Sequence, residues 1–282
     1  MEAILGCDIG TTTCKAILVS RDGETLAEVV LPYAARGPVH DPQQWWAAVR
    51  DTIRSVMARA SGHSVVAMGL CGRGSGLAFL GGNGEPLPVP WASLASEVGR
   101  VPRVKTRRYS KLAAWGRAAE AFRRVDPAAA DRLRSLCGVK DYINFVLTGR
   151  LATDPFSANT REWPRSTERY RVQRSWLPRI SPGEEPLGPL KSDIADELGL
   201  PRGIPVAVGG HDGVCANLGA GMVEAGQGCV TLGTVGVIRV NTTRPLYPTR
   251  FCHTFTYPFI DGLWASGGDL PTGGVSVLWL AR

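Results

Sequence analysis

The sequence predicts an α/β protein built on a mixed sheet with helices on both of its faces. Three observations carry this. Residues 3–61 read as three strands and a helix, and a fourth apolar run, SVVAMGLCG (64–72), returns to the same sheet. After about residue 224 the order of three strands and a helix begins again. Antiparallel strands followed by a helix and a returning strand form a layered mixed sheet. A chain of 282 residues is long enough for one large or two ordinary domains.

EAILGCDIG is a short apolar strand ending in an acid and a glycine; TCKAILVS and TLAEVVLPY follow, with RDGE as the turn between them. Short glycine-bearing separators make this an antiparallel meander. DPQQWWAAVRDTIRSVMARAS is a helix: Asp41 suits the N-cap, Pro42 the first helical position, and Gln44 completes a capping box. Trp45, Val49, Ile53 and Val56 recur at helical spacing. SVVAMGLCG is apolar enough to be a buried central strand. From about 110 to 150 the pattern is helical, ending in VKDYINFVLTGR with Gly149 as the C′ residue. LATDPFSANTREWPRS is loop-like, KSDIADELGL a short capped helix and GIPVAVGG a buried strand. DGVCANLGAG begins a helix with Asp212 at or near its N-cap.

The second unit reads as strand, Gly-Thr turn and strand in GQGCVTLGTVGVIRVNT, then two strands about Asp261–Gly262, then the start of a helix in TGGVSVLWLAR. The expected division is 1–224 and 225–282, with the second domain incomplete. On that expectation Val230, Leu232, Val237, Val240, Phe255, Leu263, Val277 and Leu278 lack the helices that would cover them, and the segment exposes apolar surface.

Hydrophobic residues make up 44% and charged residues 20%, the balance of a globular domain. No run approaches the roughly 20 apolar residues of a membrane span, and MEAILGCDIG lacks the basic start of a signal peptide. The seven cysteines form no CxxC pair and read as reduced, buried thiols of a cytoplasmic protein. The four histidines have no metal-ligand spacing. The net charge of +7 draws on GRVPRVKTRRYSK (99–111). A nucleic-acid patch is one reading of that run; a solvated loop and helix face is the plainer one, since no aromatic stacking pattern accompanies it.

Three sites carry chemistry. DIGTTTCK (8–15) puts an acid, a glycine and three threonines in a tight turn. Such a turn can hold phosphate oxygens on backbone N–H and hydroxyl groups, and its acid can hold Mg²⁺ directly or through water. A plain hairpin with threonines for β-propensity is the structural alternative. TLGTVG (231–236) repeats the device. Asp212 is either a helix cap or a general base that takes the proton of an alcohol attacking a phosphoryl group; one residue can do both.

These segments together resemble the FGGY family of carbohydrate kinases, on the actin-like ATPase (ribonuclease H-like) fold. DIGTTTCKAILV is similar to the first phosphate segment and VKDYINFVLTGRLATD to the Lys-Asp-Tyr … Leu-Thr-Gly … Asp stretch. GLPRGIPVAVGGHDGVCANLGAG is similar to the segment with the catalytic aspartate, VTLGTVGVI to the second phosphate segment, and LWASGGDLPTGG to its continuation. The resemblance implies Asp212 as catalytic base and Asp8 as the Mg²⁺-linked acid. It implies Gly10, Thr11, Thr12, Thr13, Lys15, Gly233 and Thr234 at the ATP phosphates. Arg73, Gly74, Ser75, Trp91, Tyr142, Asp154, His211 and Asp212 would meet the sugar. The family's Gly-Gln-Met-His-Gly turn reads Gly72-Arg73-Gly74-Ser75-Gly76, and WASLASE keeps Trp91 of a Trp-x-Asp-x-Arg stretch without its acid or arginine. A plain xylulokinase pocket is therefore not implied.

The activity implied is ATP- and Mg²⁺-dependent phosphorylation of a hydroxyl of a sugar, sugar acid or polyol. A small-molecule sugar or polyol is the expected partner, a homodimer is admitted, and nucleic acid and membrane are not expected. Family chains are nearly twice this length, and the remainder carries the adenosine-binding loop. One alternative is thus a non-catalytic remnant or sugar-binding module lacking the adenosine pocket; another is an ATPase switch related to actin or the heat-shock chaperones.

Overall fold

The computed structural model describes residues 1–32, 41–60, 62–105, 110–232, 236–247, 254–274 and 279–280. Contacts divide it into two units, one of Met1–Ala158 with Glu162–Asp212, the other of Asn159–Arg161 with Gly213–Arg282.

The first unit opens with the meander read from the sequence: β1 (Glu2–Ile9), β2 (Thr13–Ser20) and β3 (Thr25–Pro32) are antiparallel neighbours. Helix α1 (Pro42–Arg59) follows, then β4 (Ser64–Gly72), which joins β1 in parallel. A second layer holds β5 (Ala78–Leu80), α2 (Trp91–Arg100), α3 (Lys111–Val125), α4 (Pro127–Ala130) and β6 (Ser135–Cys137). The chain continues through α5 (Val139–Thr148), β7 (Ala152–Thr153), α6 (Pro155–Ala158) and β8 (Arg179–Ile180). It returns to the sheet with β9 (Pro186–Pro189), α7 (Ser192–Leu198), β10 (Pro205–Ala207) and β11 (Gly210–His211). The strand order is β3-β2-β1-β4-β10-β9, with β11 also on β4. The sheet is thus mixed, with β4 central as its apolar run predicted.

Among the described residues two large cores hold this unit, beside a small cluster of Ala152, Leu187 and Val208. In the first, Ala3, Leu5 and Ile9 of β1 point to the face against which Trp45, Val49, Ile53 and Val56 of α1 pack, all of them fully buried. Burying each aliphatic side chain of that stripe stabilises the fold by about 1.5–3 kcal/mol. The opposite face of β1 is more open, with Ile4 exposed. The second core gathers Phe79, Leu94, Leu112, Trp115, Phe122 and Leu136 between α2, α3 and the β5–β6 pair.

Local signals held where their physics was local. Asp41 caps α1 with Pro42 in the first turn, and Gly149 ends α5 in the left-handed conformation at φ 71°. The capping box differs: the Asp41 carboxylate accepts the Gln43 N–H (2.9 Å), because the Gln44 N–H already goes to the Asp41 carbonyl (3.0 Å). At the start of α7, Lys191 supplies no side-chain cap; the helix is closed at its other end by Gly199 at φ 70°. The stretch read as continuously helical is interrupted by β6, whose three residues pair with β5.

The second unit contains most of α8 (Asp212–Gly219) and a four-stranded antiparallel sheet. Its strands are β12 (Gly228–Leu232), β13 (Gly236–Thr242), β14 (Phe255–Pro258) and β15 (Trp264–Leu270), in the order β12-β13-β15-β14. The reversal before β15 uses Asp261 (φ 49°) and Gly262 (φ 77°), the pair expected there. Register places Val230, Ile238 and Gly268 in one row and Leu232, Gly236 and Leu270 in the next. That face is open: Val230 is 59% and Leu232 66% exposed. Val237, Val240, Phe255 and Leu263 are half-buried. Val277 and Leu278 lie outside the described residues.

Candidate active site

Three parallel strands of the first unit end in one row. Asp8 pairs with Cys71 and Ile9 with Gly72 between β1 and β4, and β11 sets Gly210 on Cys71 and His211 on Gly72. Asp8, the Gly72 turn and His211–Asp212 therefore lie side by side at the carboxyl ends of these strands. In open α/β sheets that edge is where ligands bind.

Asp8 closes β1. Its Oδ1 accepts from Cys71 Sγ at 3.3 Å, and Oδ2 lies 3.5 Å from Nζ of Lys15, directly opposite in the register. The following turn is tight: Gly10 N–H donates to the Thr13 carbonyl (3.0 Å), and a Cβ on Gly10 would stand 2.9 Å from that oxygen. Thr11 and Thr12 are exposed and Thr13 half-buried. This is a tight bend with no side chain at Gly10 and threonine hydroxyls around it, a shape and donor set that fit phosphate oxygens. Among the described residues no cluster of three or more His, Cys, Asp or Glu could hold a metal. Asp8 is a single carboxylate, which fits a Mg²⁺ that keeps its waters and leans on phosphate oxygens, not an all-protein cage.

Asp212 is the first residue of α8, and its Oδ1 lies 2.7 Å from His211 Nδ1. Two neighbours fix the imidazole. Phe156 packs on it with ring centroids 4.8 Å apart. Gly74 comes so close that a Cβ there would overlap His211 Nε2. Phe156 is itself set by Asp154, whose Oδ1 accepts the N–H groups of Phe156 (3.1 Å) and Ser157 (2.9 Å) at the start of α6.

Behind this row sits a buried charge cluster. Lys140 Nζ donates to Asp141 Oδ1 (2.7 Å) and the Val208 carbonyl (2.9 Å), and lies 3.4 Å from Asp154 Oδ2. Burial works against the Lys140 charge, but the Asp141 and Asp154 carboxylates outweigh it and hold its pKa above the ordinary lysine value. Arg73, also buried, donates its backbone N–H to the Ile9 carbonyl (3.1 Å). A cavity of about 290 Å³ opens on the other side of Gly74, lined by Gly74, Ser75, Trp91, Lys111 and Trp115 among others. Lys111, only 7% exposed, donates to the Gly74 carbonyl at 2.5 Å.

The structure thus brings together Asp8, Lys15 and the 10–13 turn, and separately joins Gly74 to His211 and Asp212, with Ser75 and Trp91 at the cavity. Asp154 is buried and engaged by Lys140 and by α6, so it reaches the row through Phe156. Tyr142 packs edge-on against Trp45 (6.1 Å) in the main core, where burial pushes its phenol up to about 12. It is not among the cavity-lining residues. Gly233 and Thr234 lie outside the described residues. Sequence reasoning gave Lys140 and Asp141 no role beyond the Lys-Asp-Tyr stretch and counted Lys111 with the basic run. For Lys111 a signal existed: Lys111, Trp115, Ala119 and Phe122 form the buried stripe of α3, and a lysine on an apolar stripe needs a reason.

The architecture has clear relatives. A xylulose kinase structure from Lactobacillus acidophilus superposes with a TM-score of 0.83 at 22% identity, over 100% of this chain and 62% of that one. This defines an actin-like ATPase fold, an α/β class in which helices cover a mixed sheet. More specifically, residues 3–94 and 122–219 match the model of the FGGY family of carbohydrate kinases, N-terminal domain, and the chain belongs to that family. A gluconokinase of Bacillus subtilis (strain 168) is 24% identical over 98% of this chain, and a xylulose kinase of Escherichia coli (strain K12) 26% over 83%. The chain spans 59% and 53% of those two relatives' lengths. No helix among the described residues is long and apolar enough to cross a membrane.

Proposed function

We propose that the chain carries the acceptor-binding and base-catalytic part of an ATP-dependent carbohydrate kinase acting on a hydroxyl of a sugar, sugar acid or polyol. The observation that carries this is the row at the strand ends, where Asp8, the Gly72–Gly76 turn and His211–Asp212 stand in register. Residues 1–224 would form the acceptor domain and 225–282 belong to the nucleotide domain.

In this reading Asp212 takes the proton of the acceptor hydroxyl as its oxygen bonds to phosphorus and the bond from phosphorus to the leaving diphosphate oxygen breaks. His211, held between Phe156 and Gly74, fixes the Asp212 carboxylate through Oδ1. Preorganisation of this kind is where most of the rate arises, since phosphoryl transfer needs positioning and charge neutralisation more than covalent help. The Gly10–Thr13 turn and Lys15 would hold phosphate oxygens, and Asp8 would hold Mg²⁺ through its water shell. The metal, when bound, neutralises charge on the phosphates.

The experiment is Asp212→Asn, assayed for ATP-dependent phosphorylation across ketoses, sugar acids and polyols, with acceptor binding measured separately. Turnover should fall by about 10²–10⁴-fold with binding retained. Near-normal turnover would reduce Asp212 to a helix-start residue.

A further inference from the structure

The cavity beside the Gly74 turn has an unusual composition. Leu77, Phe79, Trp91, Leu94, Val98 and Trp115 supply its walls, and Lys111 is the only charged side chain among its described lining residues. Nζ of Lys111 donates to the Gly74 carbonyl and sits 5.6 Å from the Trp115 ring centroid. Among the described residues no carboxylate stands within ion-pair distance of it; the two nearby acids, Asp141 and Asp154, are paired with Lys140. An ammonium has three donors, and a carbonyl and a ring face do not replace its hydration. Burial accordingly lowers the Lys111 pKa, with Asp141 and Asp154 opposing only in part. A lysine kept for packing alone would be better served by an apolar side chain of its length.

The position of Lys111 gives it a use. Gly74 turns its carbonyl to Lys111 and its Cα to His211, whose ring holds Asp212. The amine and the carboxylate base thus flank one turn. We propose that Lys111 determines acceptor specificity by receiving the carboxylate of a polyhydroxylated acid, an aldonate, whose carbon chain lies along the Trp91 and Trp115 faces. A carboxylate supplies the missing counter-charge, and the C–H face of a polyol chain suits aromatic walls. The inference rests on the kinase reading only in naming the bound acid an acceptor.

The test is calorimetric binding of matched pairs without nucleotide: gluconate against glucitol, and xylonate against xylitol. The acid should bind tighter by on the order of 10–100-fold, the worth of a hydrogen bond to a charged group. Lys111→Met should bring the pair within about threefold of each other, and Lys111→Arg should keep a preference for the acid. Equal binding of acid and alditol by the unmodified protein overturns the proposal without any variant, as does a preference that survives in Lys111→Met. Phosphoryl-transfer assays separate the two readings. Transfer to neutral sugars with no preference for acids leaves the kinase and removes the lysine's role. Acid-selective binding with no transfer to any acceptor keeps the lysine's role and removes the kinase. Binding of neither the acid nor the alditol removes the lysine's role and leaves the kinase reading to the transfer assays.

Discussion

Removing the Lys140 side chain as Lys140→Met should destabilise the first unit more than any other single change at the buried cluster. Lys140, Asp141 and Asp154 have side-chain exposures of 4%, 2% and 4%, and Lys140 is the cation paired with both acids. Methionine leaves two carboxylates in a dry interior, and it also withdraws the donor from the Val208 carbonyl, which then keeps only Asn144 Nδ2 at 2.8 Å. Breaking a buried pair from one side costs about 3–5 kcal/mol. With about 2–4 °C of melting temperature per kcal/mol for a unit of this size, the expected fall is about 6–20 °C. The pH dependence has a definite sign. The folded pKa of Lys140 is raised, so its stabilisation is fully present below the unfolded value of about 10.4 and is lost as pH rises through the folded value. The gap between the two proteins should be flat through neutral pH and close only in strong alkali. Thermal melts followed by circular dichroism measure both, and Lys140→Met with Asp141→Asn should recover part of the loss. A melting temperature for Lys140→Met within about 2 °C of the unmodified protein, well under that range, would refute the reasoning.

Lys111→Met should raise the melting temperature, because a buried lysine with a lowered pKa opposes folding while charged; the advantage should fade as pH approaches the unfolded lysine value of about 10.4, measured by the same melts. Gly74→Ala should displace the His211 ring and with it the Asp212 carboxylate. Turnover should drop by on the order of 10²-fold, and steady-state kinetics beside a binding isotherm would show whether acceptor affinity is spared. Gly209→Ala should unfold the β10–β11 junction: the residue sits at φ 71°, and a Cβ would strike the Leu70 carbonyl oxygen of β4, so expression and melting temperature should both fall.

Legibility followed the range of the forces involved. The β1–β3 meander and α1 could be read because glycine turns, the Asp41–Pro42 start and the Trp45 stripe act within a few residues. The two acids at strand ends, Asp8 and Asp212, could be read because the elements around them were. Segment β6 could not: three residues carry no period, and their strand character comes from pairing with Ala78–Leu80, far away in sequence. Asp154 and Tyr142 were placed at the sugar by resemblance, whereas Asp154 spends its carboxylate on α6 and Lys140, and Tyr142 stands against Trp45. Lys111 was hidden by bookkeeping of charge. Counted with the basic run 99–111 it looked like a solvated residue; counted with Trp115 and Ala119 it begins the buried face of α3.

The closeness of Gly74 to His211 also limits how this turn could be redesigned. Positions 74 and 211 behave as one locus: a side chain at 74 displaces the imidazole at 211, and a displaced ring no longer holds Asp212 in place. A single-substitution library at 74 should therefore yield impaired proteins whatever acceptor is offered. Routes to a new acceptor run through Ser75 and Lys111, whose side chains border the same cavity without bearing on the imidazole. A combinatorial search would do best to hold glycine at 74 and vary those two.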